Sequence, residues 1–187
     1  IPEVKAGQWY FEQLYVNGRR ATRARTPNKF YYYIRGTVPA AKPIVMAPGK
    51  IEKTDLRAFL ADPKDISTLT SLPKDRLSDA TLVIYHAWAV SLMRVAGVDA
   101  NTGRVETTGD APWAYSHFGA NLRYHIENTR SALDAPGEWF LDRDGTLSYI
   151  PLPGEDMTKA EVIAPAVPGI VRIEGNAAQN QFVEHLA

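Results

Sequence analysis

The dipeptide Asp144-Gly145 lies between two apolar, aromatic-rich runs, Trp139-Phe140-Leu141 and Leu147-Ser148-Tyr149-Ile150. Asp-Gly tolerates positive φ at both centres of a type I′ turn, and the twist of that turn matches the twist of paired strands. The stretch therefore predicts a β-hairpin. Pro136-Gly137 makes a turn ahead of it. Pro151-Leu152-Pro153-Gly154 stops it, because proline has no N–H to give to a ladder. Much of the remaining chain reads as further strands able to pack on this hairpin.

Residues 8–16 are aromatic and β-branched with partial alternation, which predicts a strand. Asn17-Gly18 is a second hairpin signal. Residues 19–25 alternate basic residues with Ala and Thr, as a return strand with one wet face would. Its arginines, Arg19, Arg20, Arg23 and Arg25, have the chemistry to clamp a carboxylate or phosphate. The plain alternative is a solvated strand face with cross-strand ion pairs. Phe30-Tyr31-Tyr32-Tyr33-Ile34 predicts a short strand. Successive side chains alternate faces, so some of these rings must reach a surface, an edge or a cleft. Residues 36–50, rich in Pro and Gly, read as loop.

Thr54-Asp55 reads as a helix start, with Leu56, Phe59 and Leu60 at helical spacing and Pro63 as the stop. A second short helix is expected over residues 66–72. The β pattern resumes at residues 81–85 and again at 87–95 around Trp88. A helix also fits there, since Leu82, Tyr85 and Ala89 suit a 3.6 period, but the β-branched content favours strand. Asn101-Thr102-Gly103 reads as a hairpin loop with its return strand at 104–108. Residues 123–127 form another strand, and 129–134 one helical turn. Three short β-like pieces follow, at 161–163, 169–174 and 182–186. The class is mostly β: an antiparallel β-sandwich or barrel-like domain with one or two short helices. The expected division is residues 1–165 for this domain and 166–187 for a distinct tail.

Lys+Arg and Asp+Glu balance at 21 each, so composition gives no push toward nucleic acid or anionic lipid. The absence of cysteine excludes disulfides and thiolate metal sites. No apolar run approaches the ~20 residues of a membrane span. The first residues, Ile1-Pro2-Glu3-Val4, are not a signal peptide. Glycine-rich nucleotide loops, nucleophile elbows and zinc-helix motifs are missing, and the four histidines share no metal-ligand spacing. Neither a cofactor nor a metal is expected. A glycosidase needs two carboxylates ~5 to 9.5 Å apart. Glu138 and Asp142 lie four apart on one strand, about 13 Å at ~3.3 Å per residue. Asp142 and Asp144 flank a turn, where Asp is expected for backbone reasons. No catalytic residue is assigned.

The segment Gln13-Leu14-Tyr15-Val16-Asn17-Gly18-Arg19-Arg20, followed by Ala24-Arg25-Thr26-Pro27-Asn28, resembles the QLFVNGxRxxxARxPN entry segment of large bacterial right-handed parallel β-helix proteins. Many of these are glycoside hydrolases of xylanase, xylosidase or fucosidase type. Trp88, Arg123-Tyr124, Glu127-Asn128, Leu133-Asp134, Pro136-Gly137-Glu138-Trp139, Leu141-Asp142-Arg143, Gly145-Thr146-Leu147 and Pro151-Leu152-Pro153-Gly154-Glu155-Asp156 continue the pattern. The likeness spans residues 8–175. It departs at the turn, where the family has Asp-Arg-x-Thr-Gly-x-Leu and this chain has Asp142-Arg143-Asp144-Gly145-Thr146-Leu147.

The resemblance implies a β-rich flanking domain, with residues 166–187 as the start of a parallel β-helix and the catalytic carboxylates in later coils. It implies a secreted, periplasmic or cell-surface parent enzyme, with carbohydrate and the remaining β-helix as partners. Three roles follow as expectations: a non-catalytic accessory domain lining one side of a substrate cleft, an independent carbohydrate-binding module, or a purely structural or interaction domain. Tyr31, Tyr33, Trp113, Arg19 and Arg25 are the candidate sugar-binding residues, rings to stack and guanidiniums to hold hydroxyls or a uronic carboxylate.

Overall fold

The computed structural model describes residues 1–47, 50–115, 121–167, 169, 171 and 173–184. A single helical turn, α1 (Pro2–Lys5), comes first. β1 (Tyr15–Val16) and β2 (Arg19–Arg20) then form a hairpin across Asn17-Gly18. Asn17 and Gly18 have φ of 51° and 72°, the left-handed pair a type I′ turn demands. Only the last two residues of the aromatic stretch 8–16 enter a ladder. The arginine-rich return is not one strand. It breaks into β2, β3 (Thr22–Arg23) and β4 (Arg25–Thr26), each in a different sheet.

β5 (Tyr32–Tyr33) leads into the long antiparallel pair β6 (Gly36–Ala47) and β7 (Lys50–Leu60). This overturns two expectations, a loop over residues 36–50 and a helix over 54–60. β6 is the edge strand, so Pro39 is tolerated at the cost of register shifts on either side of it. β7 has a neighbour on both sides, and Ala58 and Phe59 are fully buried. Tertiary pairing outweighs the helical spacing of Leu56, Phe59 and Leu60.

The helix expected near residue 66 is α2 (Ser67–Thr70), and a 3-10 turn at Lys74–Asp79 follows it. β8 (Thr81–Tyr85), β9 (Val90–Asp99) and β10 (Arg104–Thr107) form a meander. Trp88 sits in the turn between β8 and β9, where His86 N–H donates to Ala89 O at 2.8 Å, and not within a strand. β11 (Arg123–Glu127), a 3-10 turn at Arg130–Ala132, β12 (Glu138–Leu141), β13 (Leu147–Tyr149) and β14 (Val162–Ile163) complete the ladder-forming elements.

The hairpin β12–β13 is present, with Trp139 opposite Tyr149 and Leu141 opposite Leu147. Its turn differs from expectation. Asp142 and Thr146 close the loop, and only Gly145 has positive φ, at 87°. This is a three-residue loop, a turn followed by a left-handed glycine, in place of a two-residue type I′ turn.

The strands form one eight-stranded sheet in the order β4-β11-β8-β9-β10-β7-β6, with β5 also on β11. Two three-stranded sheets accompany it, β14-β1-β2 and β13-β12-β3. Every pair is antiparallel except β3–β12. No closed barrel forms among the described residues. Two cores result. One buries Phe59, Leu82, Ile84, Tyr124 and Ile126 of the large sheet under Ile66, Leu69 and Leu77. The other buries Phe11, Leu14, Val16, Trp139 and Leu141 around the hairpin, with Phe11 stacked 5.5 Å from Trp139.

After Ile163 no described residue lies in a strand. The expected β-helix rung at 169–174 has residues 170 and 172 outside the described set, and its described residues form no ladder. The expected piece at 182–186 also runs into residues outside that set. A 3-10 turn at Ala177–Gln179 is closed by the Asn176–Gln181 bridge.

Candidate functional site

Period-two alternation gives the large sheet two different faces. Leu82 and Ile84 of β8, Tyr124 and Ile126 of β11, and Met93 and Val95 of β9 turn to the first core. Their neighbours turn the other way. The register aligns Leu92, Val83 and His125 in one row across β9, β8 and β11, and Val90, Tyr85 and Arg123 in the next. Val90 and Leu92 remain more than half exposed there, so this face is open.

A cleft of ≈ 400 Å³ lies over it. Its floor is Val83, Tyr85, Leu92, His125 and Glu127. Its wall comes from the broken arginine stretch and the segment before β1, with Glu12, Arg20, Arg23 and Arg25. The breaks in residues 19–26 place Arg20, Arg23 and Arg25, which belong to three different sheets, around one space.

Arg23 is the organising cation. It is buried, its Nη1 lies 3.7 Å from Glu12 and 3.8 Å from Glu127, and it also donates to Thr81 Oγ1 and the Tyr10 hydroxyl. Glu12 is shared with Arg94 at 2.9 Å. Glu127 is held by His125 Nε2 at 2.8 Å. His125 is 3% exposed, its ring beside Tyr31 and Tyr85, and its Nδ1 has no hydrogen-bond partner among the described residues.

Two carboxylates that each touch Arg23 Nη1 can be no further apart than those two distances combined, which is within glycosidase range. Both carboxylates are, however, engaged by the same buried guanidinium. Acid–base chemistry would need them free to face a glycosidic oxygen or a water. The arrangement is an ion network that fixes the wall of the cleft to its floor. Sequence spacing gave no signal of this cluster, because Glu12 and Glu127 are 115 positions apart and meet only through Arg23.

The other carboxylates around the hairpin have structural work. Glu138, 3% exposed, accepts from the backbone N–H of Asp134 and Ala135 at 3.1 Å each. Burial pushes its carboxyl up, and these donors oppose the shift. Asp142 pairs with Arg76 at 2.5 Å, and Asp79 takes Arg76 and Arg143. Asp144 caps Thr146 N–H at 2.7 Å.

The five sequence-derived candidates do not converge. Arg25 lines the cleft, its guanidinium donating to Pro27 O and Phe30 O at 3.0 Å each. Tyr31 is half-buried beside it, 5.0 Å from the Tyr85 ring, with Arg123 5.1 Å above its own ring. Tyr33 is exposed on β5 opposite Arg123. Arg19 lies elsewhere, bonded to the Tyr149 hydroxyl at 3.0 Å and to Glu155 at 3.5 Å. Trp113 meets Trp88 edge-on at 79°. Tyr85, His125 and Glu127 join the cleft without having been singled out, and Arg20 and Arg23, read as able to clamp an anion or as part of a wet strand face, join it with Arg25.

No protein-family model matches this chain, and no curated protein sequence matches it. A solved structure described as a glycoside hydrolase is similar to it, with a TM-score of 0.66 and 23% sequence identity. The likeness covers 89% of this chain and 28% of that one. The chain thus spans less than a third of the enzyme whose fold it shares, and the likeness is one of fold. No helix among the described residues is long and apolar enough to cross a membrane.

Proposed function

We propose that this chain is an accessory, non-catalytic β-domain of a carbohydrate-active enzyme of the β-helix glycoside hydrolase kind, with its open sheet face forming part of a saccharide cleft. The observation that supports this most is the engagement of Glu12 and Glu127, the two carboxylates that line the cleft, by the buried Arg23, with Arg94 and His125 as their further partners. The shared fold with a segment of a glycoside hydrolase is consistent with that role. A self-standing module that grips sugars on a flat aromatic platform is less well supported, because Trp88 and Trp113 meet edge to face.

The test is turnover. The purified chain, offered aryl-xylosides, aryl-fucosides and xylo-oligosaccharides, is expected to hydrolyse none of them. Hydrolysis that disappears in Glu12→Gln or Glu127→Gln would refute the accessory reading.

A further inference from the structure

The charges around the cleft do not cancel. Glu12 and Glu127 are both occupied by Arg23, and Glu12 is shared further with Arg94. Arg20 is exposed, lines the cleft and has no carboxylate partner among the described residues. Arg25 has none either. Its guanidinium is locked by two backbone carbonyls, which uses two of its five N–H donors and leaves the others for a ligand. Arg123 lies 5.7 Å from the centre of the Tyr85 ring and has no carboxylate partner among the described residues. Two guanidiniums, those of Arg20 and Arg25, thus line one opening with their preferred planar anion missing among the described residues, and Arg123 stands next to Tyr85 on the same sheet face.

Between them the floor carries apolar surface beside His125 and Glu127. Leu92 is 57% exposed and stands beside Val83, and Tyr85 offers part of its ring to the same cleft. An inorganic anion has no use for such a floor. A pyranose has: its C–H face packs on aromatic and aliphatic surface while polar groups at its rim take hydrogen bonds.

From these two features together we propose that the cleft binds an acidic saccharide, a hexuronic acid unit whose ring lies over Tyr85 and Leu92 and whose carboxylate is taken by Arg20 and Arg25. This deepens the accessory reading above by naming the class of sugar, and it rests on that reading for the sugar itself. Arg23 remains a positioning residue, bound to Glu127 and holding the wall in place.

The experiment is a titration of the intact chain followed by amide chemical shifts and calorimetry. The probes are trigalacturonate, xylotriose as a neutral oligosaccharide of equal length, and sodium acetate as a bare carboxylate. The expected result is that trigalacturonate binds at least about tenfold more tightly than either control, the worth of roughly one charge-assisted pair. Its shifts should fall at residues 20–25, 83–85 and 123–127. Arg20→Gln, at an exposed position, should lose about tenfold for trigalacturonate and leave xylotriose unchanged. Equal affinity for trigalacturonate and xylotriose overturns the proposal, as does acetate binding as tightly as the trisaccharide. Shifts confined to Trp88 and Trp113 overturn it too. These outcomes are separate from the turnover test: a chain that neither hydrolyses nor binds uronate keeps the accessory reading and loses only this one.

Discussion

The side-chain amide of Asn128 bonds both backbone groups of Leu141, Oδ1 accepting its N–H at 3.2 Å and Nδ2 donating to its C=O at 3.2 Å. Asn128 thereby acts as one more residue of a ladder, joining the end of β11 to β12. The same Nδ2 also donates to Asp79 O at 3.1 Å, and the Asn128 backbone N–H donates to Ala24 O at 2.9 Å. The residue is 2% exposed and has φ of 58°, a left-handed value that asparagine accepts more readily than most residues. Asn128→Ala should therefore cost about 2 to 4 kcal/mol, from two orphaned buried backbone groups and a less tolerant residue at positive φ. Asn128→Asp keeps the shape but points an oxygen at two carbonyls, and should not rescue. Urea denaturation measures both. A loss below ~0.5 kcal/mol for the alanine variant would show that water replaces the amide.

Gly145 is fixed by more than its turn. Its φ is 87°, and a Cβ there would meet Ile1 O at 2.2 Å. The Ile1 amine also donates to Gly145 O at 2.6 Å. Gly145→Val should destabilise by roughly 1 to 3 kcal/mol from backbone strain alone, with displacement of Ile1 adding to it. Thermal melting checks this, and an unchanged midpoint would mean that both the loop and Ile1 rearrange freely.

Two buried tyrosines set the alkaline limit. Burial pushes Tyr115 up to about 12, against the hydrogen bond from Thr107, and pushes Tyr124 up further. The sign follows from linkage: an acid whose folded value is raised gives stability that is complete below its unfolded value near 10 and is lost as pH rises through the folded value. The melting temperature should fall between pH 10 and 12, and absorbance at 295 nm should show these two phenols ionising only with unfolding. The Tyr124 hydroxyl has no hydrogen-bond partner among the described residues. Tyr124→Phe should accordingly be neutral or stabilising at pH 7, and should flatten the alkaline loss. A destabilised phenylalanine variant would point to a buried water on that hydroxyl.

The hairpins were legible in the sequence because glycine and asparagine mark left-handed positions directly. The Asn17-Gly18 turn closes the expected hairpin, and the Asp144-Gly145 hairpin has the expected partners with a different loop. Residues 36–60 were misread because pattern and propensity speak only of local structure. Pro39 signals a loop unless the strand is an edge, and Leu56-Phe59-Leu60 fits a helix unless β6 and β10 flank it. The cleft was largely hidden for a related reason. Arg20, Arg23 and Arg25 looked like one wet strand face, and nothing local shows that the strand breaks twice. The motif residues of the glycosidase resemblance proved to be structural in several places. Asn128, Glu138, Asp142, Arg143 and Glu155 are engaged in backbone or ion-pair contacts around the hairpin.

The boundary expected near Pro165 yields the last prediction. β14 belongs to the domain: it pairs with β1, Glu161 exchanges hydrogen bonds with Asn17, and Ala160 and Ala164 pack on the second core. Pro165 O accepts from Trp9 Nε1 at 3.0 Å. Past that point the apolar side chains of Val167, Val171, Ile173 and Phe182 are largely exposed. They add little burial, and exposed apolar surface favours self-association. A chain ending at Pro165 should melt within about 2 °C of the full one and scatter less light at high concentration. A chain ending at Ala160 loses β14 and the Trp9 contact, and should melt at least about 4 °C lower, the effect of ~1 kcal/mol or more in a domain of this size. The fluorescence of Trp9 separates the two cuts, since only the shorter chain removes its carbonyl partner. If the Pro165 chain fails to fold, residues 166–187 complete the second core and the domain has no boundary there.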